Sequence, residues 1–209
     1  MTQKIYAKNV TLRDLKTKFA IQLVRDREFF PEWQTDLPEP TEIDKLFLDE
    51  IQEGYFNLIT YPPVLEDTVK MSVLSPLMHL AGFFRDPFHI RSEESVSISA
   101  VDEEVIVEGR IDVLVLQDKL WMIVIESKSA SFSIEAGLAQ ILSYMLANPD
   151  PARPTFGMIT TGGSFTFIKL VGKKYSLSRV FELRNPDNEL LIVLGILKRL
   201  AQLTSAEIE

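Results

Sequence analysis

The chain has 209 residues, 46% hydrophobic content and a formal net charge of −8, which predicts one domain with one substantial core and a helical extension. The absence of cysteine excludes disulfides, thiolate metal sites and thiol nucleophiles, and two histidines are too few for a multi-histidine zinc centre, so a bound metal must sit on oxygen ligands. The acidic balance argues against a general nucleic-acid coat protein, because nonspecific affinity comes mainly from Lys and Arg.

Residues 1 to 61 are predicted to form an N-terminal helical extension. They begin without the apolar stretch of a signal peptide, and no later run approaches the roughly 20 apolar residues of a membrane span, so we expect a cytoplasmic protein. Apolar spacing indicates helices over residues 11 to 30 and about 41 to 58, with a proline-containing break between them. The basic start of this segment and its acidic continuation either form solvated helix faces or meet a partner protein or a second copy of the chain.

Residues 62 to 209 are predicted to form the core, which opens with a helix. Gly82 is the expected end of this helix, and Ser75-Pro76 fits a kink or a fresh helical start. The apolar stripe of the helix consists of Val69, Val73, Leu77 and Leu80.

Strand signals follow this helix. The predicted strands cover residues 95–100, 105–116, 120–128, 155–162, 164–171 and 175–183, with helices over 133–147 and 189–203. Residues 117–119 are short enough to join two of these strands as a hairpin. The near-continuous apolar content of the two hairpin strands predicts a sheet that is covered on both faces, and therefore an α/β fold.

The predicted hairpin brings charged side chains together. If it turns around Lys119, Asp112 faces Glu126 and Arg110 faces Lys128, all on one face of the sheet. Opposed carboxylates are destabilising unless a positive charge lies between them, and Mg²⁺ prefers such hard oxygen ligands. Lys128 would then hold a water or stabilise charge on a phosphate. The alternative is a structural salt-bridge cluster of the same four side chains.

The segments GRIDVLV and IVIESK resemble the bipartite signature of the PD-(D/E)xK, or restriction-endonuclease-like, nuclease superfamily. The resemblance implies a mixed central sheet flanked by helices and a DNA endonuclease activity. It also implies that Asp112 and Glu126 bind Mg²⁺, with Mn²⁺ as a substitute, and that Lys128 assists hydrolysis. Ile111 replaces the usual proline without touching this chemistry. The side chain of Ser127 points to the other face, but its backbone carbonyl is available as a further metal ligand.

Two flanking features are similar to the nuclease domain of type I restriction enzyme R subunits. Glu66 opens the first core helix, where the resemblance implies a further metal ligand, and Gln140 and Tyr144 match a Q-x3-Y element that supports the site or contacts nucleic acid. The alternative for Glu66 is an exposed residue favoured by the helix dipole. For Gln140 and Tyr144 it is ordinary helix packing.

The leading functional hypothesis is therefore a free-standing Mg²⁺-dependent nuclease, since the chain contains no phosphate-binding G-x4-G-K-[ST] loop. An acidic nuclease needs a local basic track, either in the N-terminal segment or near the last strands. The residues near the last strands are Lys169, Lys173, Lys174 and Arg179. The alternative is a noncatalytic nucleic-acid-binding or assembly module with the same fold. RNA is as compatible with these features as DNA.

Overall fold

The computed structural model describes residues 3–100, 105–117, 120–129 and 134–205. Within these residues, nine strands form one sheet. They are β1 (Gln3–Tyr6), β2 (Gln22–Leu23), β3 (Phe88–Ser99), β4 (Val105–Gln117), β5 (Leu120–Ser127), β6 (Thr155–Thr160), β7 (Ser164–Val171), β8 (Lys174–Leu177) and β9 (Phe181–Glu182). The α-helices are α1 (Leu12–Lys18), α2 (Glu42–Thr60), α3 (Glu66–Val69), α4 (Ser75–Leu80), α5 (Ile134–Met145) and α6 (Leu190–Ser205).

The sheet is mixed. Its main order is β1-β4-β5-β6-β7-β8-β2, while β3 also pairs with β4 and β9 with β7. The β4–β5 pair is antiparallel, whereas β5 pairs with β6 in the parallel sense. The predicted α/β class, with a mixed central sheet flanked by helices, is confirmed.

Helices cover both faces of this sheet. Side chains of α2, α4 and α6 belong to one buried cluster, and side chains of α1 and α5 belong to the other. Strand β5 alternates between them, because Ile123 and Ile125 lie in the first cluster and Val124 in the second. The same alternation directs Glu126, the next even-numbered residue, towards α5.

The predicted helix at about 41 to 58 is confirmed as α2. It begins with a capping box in which the Thr41 hydroxyl accepts from the Asp44 amide and the Asp44 carboxylate accepts from the Thr41 amide. This exchange satisfies amides that have no partner within the helix, so the start of α2 is encoded locally.

The predicted first core helix is also confirmed, although it contains an irregular turn. A π-helical turn, Lys70–Leu74, joins α3 to α4, and the chain then ends the helix at Gly82, whose φ is +89°. Three members of the predicted apolar stripe, Val69, Val73 and Leu77, are fully buried. The π-helical turn begins with Lys70, whose side chain contacts Asp112 of β4.

The predicted helix over residues 11 to 30 is confirmed only in its first part, as α1, and is wrong beyond it. Helix α1 ends at Lys18, Ala20 adopts a left-handed φ of 59°, and β2 then pairs with β8. Strand β1 was not predicted at all, and it pairs with β4 in the parallel sense. Residues 3–23 therefore contribute two strands to the sheet, because long-range pairing recruits strands too short to carry a periodic pattern.

Two further strand boundaries differ from prediction. Strand β3 begins at Phe88 and not at residue 95, because the polar run over residues 91–95 interrupts its apolar alternation. The strand predicted over 175–183 is divided into β8 and β9. Asp118 and Lys119 of the predicted hairpin turn lie outside the described residues. None of the helices in the described part of the chain is long and apolar enough to cross a bilayer.

Candidate active site

The β4–β5 ladder positions the candidate site. Its pairs Val113↔Ile125, Leu114↔Val124 and Val115↔Ile123 have the predicted register, and a bulge after Val115 shifts the pairs nearer the turn by one residue. The ladder stops one step before Asp112 and Glu126 would pair. The Asp112 side chain crosses the gap instead.

Asp112 is anchored to the neighbouring strand. The backbone amide of Ser127 donates a 2.7 Å hydrogen bond to Asp112 Oδ2. The Ser127 side chain is fully buried, and its hydroxyl has no hydrogen-bond partner among the described residues. A charged acceptor strengthens such a hydrogen bond, so the Asp112 carboxylate is held next to the end of β5.

Glu126 is a buried carboxylate with one oxygen left without a partner. Its Oε1 accepts hydrogen bonds of 2.6 Å from Lys128 Nζ and from Gln140 Nε2. Its Oε2 is buried and has no hydrogen-bond partner within the described part of the chain. Burial, together with the charge of Asp112, raises the pKa of Glu126 to about 8, although Lys128 opposes this shift.

These features fit a bound cation. A buried carboxylate oxygen without a partner is costly, and a cation would relieve both this cost and the repulsion from Asp112. Mg²⁺ is held by one or two carboxylates and keeps several waters, which matches the Asp112–Glu126 pair. Among the described residues, no group of three or more acidic or histidine side chains is arranged to hold a metal.

Lys128 lies between two carboxylates. Its Nζ is 2.6 Å from Glu126 Oε1 and 3.8 Å from Glu66 Oε1. The Lys128 amide donates to the Thr160 carbonyl on β6, which fixes the backbone just beyond the end of β5. Glu66, half exposed at the start of α3, is therefore brought to the same cluster, and its contact there is with the ammonium group.

Lys70 is a member of the cluster that sequence reasoning missed. Its Nζ is 3.3 Å from Asp112 Oδ1 and 3.8 Å from Glu93 Oε1. Burial alone would lower the pKa of Lys70, but the carboxylates of Asp112, Glu93 and Asp67 together raise it overall. Lys70 follows Glu66 by four residues, so helical spacing could have placed both on one face.

Gln140 and Tyr144 form the other side of the cluster. Gln140 Nε2 also donates a 2.8 Å hydrogen bond to the Tyr144 hydroxyl, which in turn contacts the backbone of Arg110. Burial and the charge of Glu126 raise the pKa of Tyr144 to about 12. The i, i+4 pair is thus a buried polar chain that reaches Glu126.

Gly109 makes room for this polar chain. A Cβ atom at Gly109 would lie 2.5 Å from Tyr144 Cε1 and 2.7 Å from Ala7 Cβ. The sequence carried a hint of this requirement, since a glycine inside a strand often marks a close approach.

Arg110 lies outside the β4–β5 ladder. It pairs with Ser95 on β3, is exposed, and its guanidinium is 3.3 Å from Glu93. Glu93 itself has a left-handed φ of 58°, and the ladder between β3 and β4 skips it and Asp112. The distorted backbone is opposite the candidate site, where such strain is often concentrated.

The basic residues near the last strands do not form a track at this site. Lys169 is largely buried in an ion pair with Glu32, and Arg179 pairs with Glu189. Lys173 and Lys174 are exposed, but β6 and β7 separate β8 from β5.

Comparisons with solved structures give distant likenesses. No family model and no curated protein matches the chain. One solved structure that matches is a fragment described as an HsdR subunit of a type I restriction enzyme from Vibrio vulnificus YJ016, with 17% sequence identity and a TM-score of 0.40. The match covers 63% of this chain and 25% of that chain, so it spans about a quarter of the neighbour's length. A likeness at this level does not establish a shared activity.

Proposed function

We propose that this protein is a Mg²⁺-dependent endonuclease that hydrolyses phosphodiester bonds of DNA, with Asp112 and Glu126 as the metal ligands. The observation that carries the proposal is the buried Oε2 of Glu126, which has no partner among the residues that the structure describes and belongs to a carboxylate close to Asp112. A structural salt-bridge cluster would leave this oxygen and the repulsion from Asp112 uncompensated, whereas a bound cation would relieve both. Mn²⁺ is expected to replace Mg²⁺.

Bound Mg²⁺ would supply Lewis acidity towards a phosphoryl oxygen and lower the pKa of a bound water. Asp112, held by the Ser127 amide, and Glu126, held by Gln140, present fixed oxygens to the cation. The backbone carbonyl of Ser127 and the carboxylate of Glu66 are proposed as further ligands. Glu66 would have to give up its contact with Lys128 to take this role.

Lys128 is proposed to stabilise the negative charge that develops on the phosphate. Its ammonium group is nearly buried and is already held beside Glu126, so little reorganisation is needed. Gln140 and Tyr144 are proposed as positioning residues that orient Glu126 through their hydrogen bonds.

The test is nicking of single-stranded and duplex DNA with Mg²⁺ or Mn²⁺. Wild type is compared with Asp112→Ala, Glu126→Gln and Lys128→Ala, and Lys174→Ala serves as a control for a lysine far from the site. We expect metal-dependent cleavage in wild type and in the control, and its loss in the other three. Equal, metal-independent behaviour of all five proteins would leave the noncatalytic alternative.

A noncatalytic assembly role has one observation in its favour. The side chains of Ile43, Leu46 and Phe47 are exposed along α2, and exposed apolar patches often mark protein contacts. This surface is where a partner protein or a second copy would bind. Sedimentation of wild type and Leu46→Glu measures such an association directly, whatever the outcome of the nicking assay.

A further inference from the structure

A groove of about 600 Å³ lies beside the candidate active site. It is lined by residues 6–8 at the end of β1, by residues 95–97 of β3 and by residues 108–110 of β4, the strand with which both β1 and β3 pair. Gln140 and Tyr144 also line it. Since Gln140 donates to Glu126, the groove leads to the proposed metal ligands through a single side chain.

The groove carries positive charge on a protein that is acidic overall. Lys8 is exposed and makes no ion pair with any other residue in the described ranges, and Arg110 is 63% exposed and forms an ion pair with Glu93 at 3.3 Å. The acidic residue of the lining, Glu108, is neutralised by Lys4 at 2.8 Å. Two cationic side chains are therefore available to phosphates in this groove.

An aromatic ring stands at the edge of the same groove. Tyr6 is the last residue of β1. It is 66% exposed, although burial of a large aromatic ring is favourable. Ser95 and Ser97 on β3 also line the groove, and their hydroxyl groups can donate hydrogen bonds to phosphate oxygens. An exposed ring next to cations and hydroxyls is the combination that binds unpaired nucleic acid, where bases stack on rings and phosphates meet cations.

From this arrangement we infer that the groove binds an unpaired segment of a nucleic-acid strand, with a base stacked on Tyr6 and phosphates held by Lys8 and Arg110. The inference rests on the proposed function for its choice of ligand and deepens it by naming the substrate as single-stranded or locally unpaired. A duplex keeps its bases stacked on one another, so Tyr6 can stack only on a base that has left the helix.

The experiment measures binding without cleavage. Fluorescence anisotropy of a labelled single strand of about 12 nucleotides is recorded in EDTA, with a duplex of the same sequence and a ribonucleotide strand as the other arms. The proteins are wild type, Tyr6→Ala, Tyr6→Phe and Lys8→Ala. Tyr61→Ala and Lys174→Ala are matched controls, because Tyr61 is 77% exposed and Lys174 is exposed, and neither lines the groove.

We expect wild type to bind a single strand, of either sugar type, more tightly than the duplex. Tyr6→Ala should weaken this binding roughly fivefold or more, while Tyr6→Phe keeps it. Lys8→Ala should reduce the slope of log affinity against log salt concentration by about 0.7. Equal effects of Tyr6→Ala and Tyr61→Ala, or a preference for the duplex, overturn the inference.

Failure of this inference can be told apart from failure of the proposed function. If the protein binds a single strand through Tyr6 but never cleaves it, the binding groove is supported and the nuclease function is rejected. If metal-dependent cleavage and strand binding are both unchanged in Tyr6→Ala, the nuclease function is supported and the binding groove is rejected.

Discussion

The ammonium group of Lys70 lies 3.3 Å from Asp112 Oδ1, on the carboxylate that we propose as a metal ligand. The lysine comes from a π-helical turn and the aspartate from strand β4, so only the tertiary structure brings them together. π-Helical turns occur frequently at functional sites. The Lys70 ammonium group therefore acts as a counter-ion of the Asp112 carboxylate.

Removal of this counter-ion should strengthen metal binding. In Lys70→Ala the Asp112 carboxylate loses a competing positive charge, so we expect the Mg²⁺ concentration for half-maximal thermal stabilisation to fall by about threefold to tenfold. Differential scanning fluorimetry across a Mg²⁺ titration measures this shift. Lys45→Ala, which removes an exposed lysine paired with Glu42 on α2, is the control and should leave the titration unchanged. Weaker binding in Lys70→Ala would show that Lys70 supports the ion.

The raised pKa of Glu126 predicts an unusual pH dependence of stability. Its pKa is about 8 in the folded chain and 4.5 when unperturbed, so the folded state binds more protons between these values. The contribution of Glu126 to the free energy of unfolding is therefore fully present below pH 4.5 and is lost as the pH rises towards 8. The free energy of unfolding should fall by up to about 1.4 kcal/mol per pH unit in this range. Urea unfolding in EDTA between pH 5 and pH 8 measures this slope.

Glu126→Gln should remove this dependence, because the amide does not titrate. The free energy of unfolding of the variant is expected to stay flat over the range in which the wild type loses stability. An identical slope in both proteins would assign the pH dependence to another group. Mg²⁺ should restore stability to wild type most strongly at the upper end of the range, where the carboxylate is ionised.

Gln140 should affect cleavage more than folding. Gln140→Ala removes the 2.6 Å hydrogen bond to Glu126 Oε1, and loss of such a supporting contact typically lowers metal affinity or activity by about 10- to 100-fold. Single-turnover cleavage rates measured against Mg²⁺ concentration test this. Part of the loss should be recovered at high Mg²⁺. Gln52→Ala is a matched control, because its amide donates to the Leu183 carbonyl away from the site.

Gly109 should tolerate no side chain. In Gly109→Ala the new methyl group meets the buried ring of Tyr144 at 2.5 Å, and overpacking of this kind costs about 1–3 kcal/mol. Urea denaturation compares this variant with Gly54→Ala, where no atom lies within 4 Å of the added Cβ and α2 should gain about 0.5–1 kcal/mol. A fully stable Gly109→Ala protein would mean that the Tyr144 ring can move aside.

Local signals in the sequence determined much of the fold. The capping box at Thr41 and Asp44 encodes the start of α2 within four residues, and the apolar runs of β4 and β5 encode two buried strands. The pairs from Val113 to Val115 have the register predicted from the sequence, although a bulge shifts the pairs nearer the turn by one residue. This register is what brings Asp112 and Glu126 to one end of the sheet.

Only the tertiary structure decided the rest of the cluster. Strand β1, the contact between Lys70 and Asp112, and the close packing of Gly109 against Tyr144 join residues that are far apart in the chain. None of these three contacts produces a periodic pattern in the sequence, because each depends on how separate elements pack together. The burial of Glu126, which raises its pKa, likewise exists only after α5 and β6 have covered β5. Sequence periodicity reports the preferences of single elements, whereas the charge state of a site depends on all the elements that surround it.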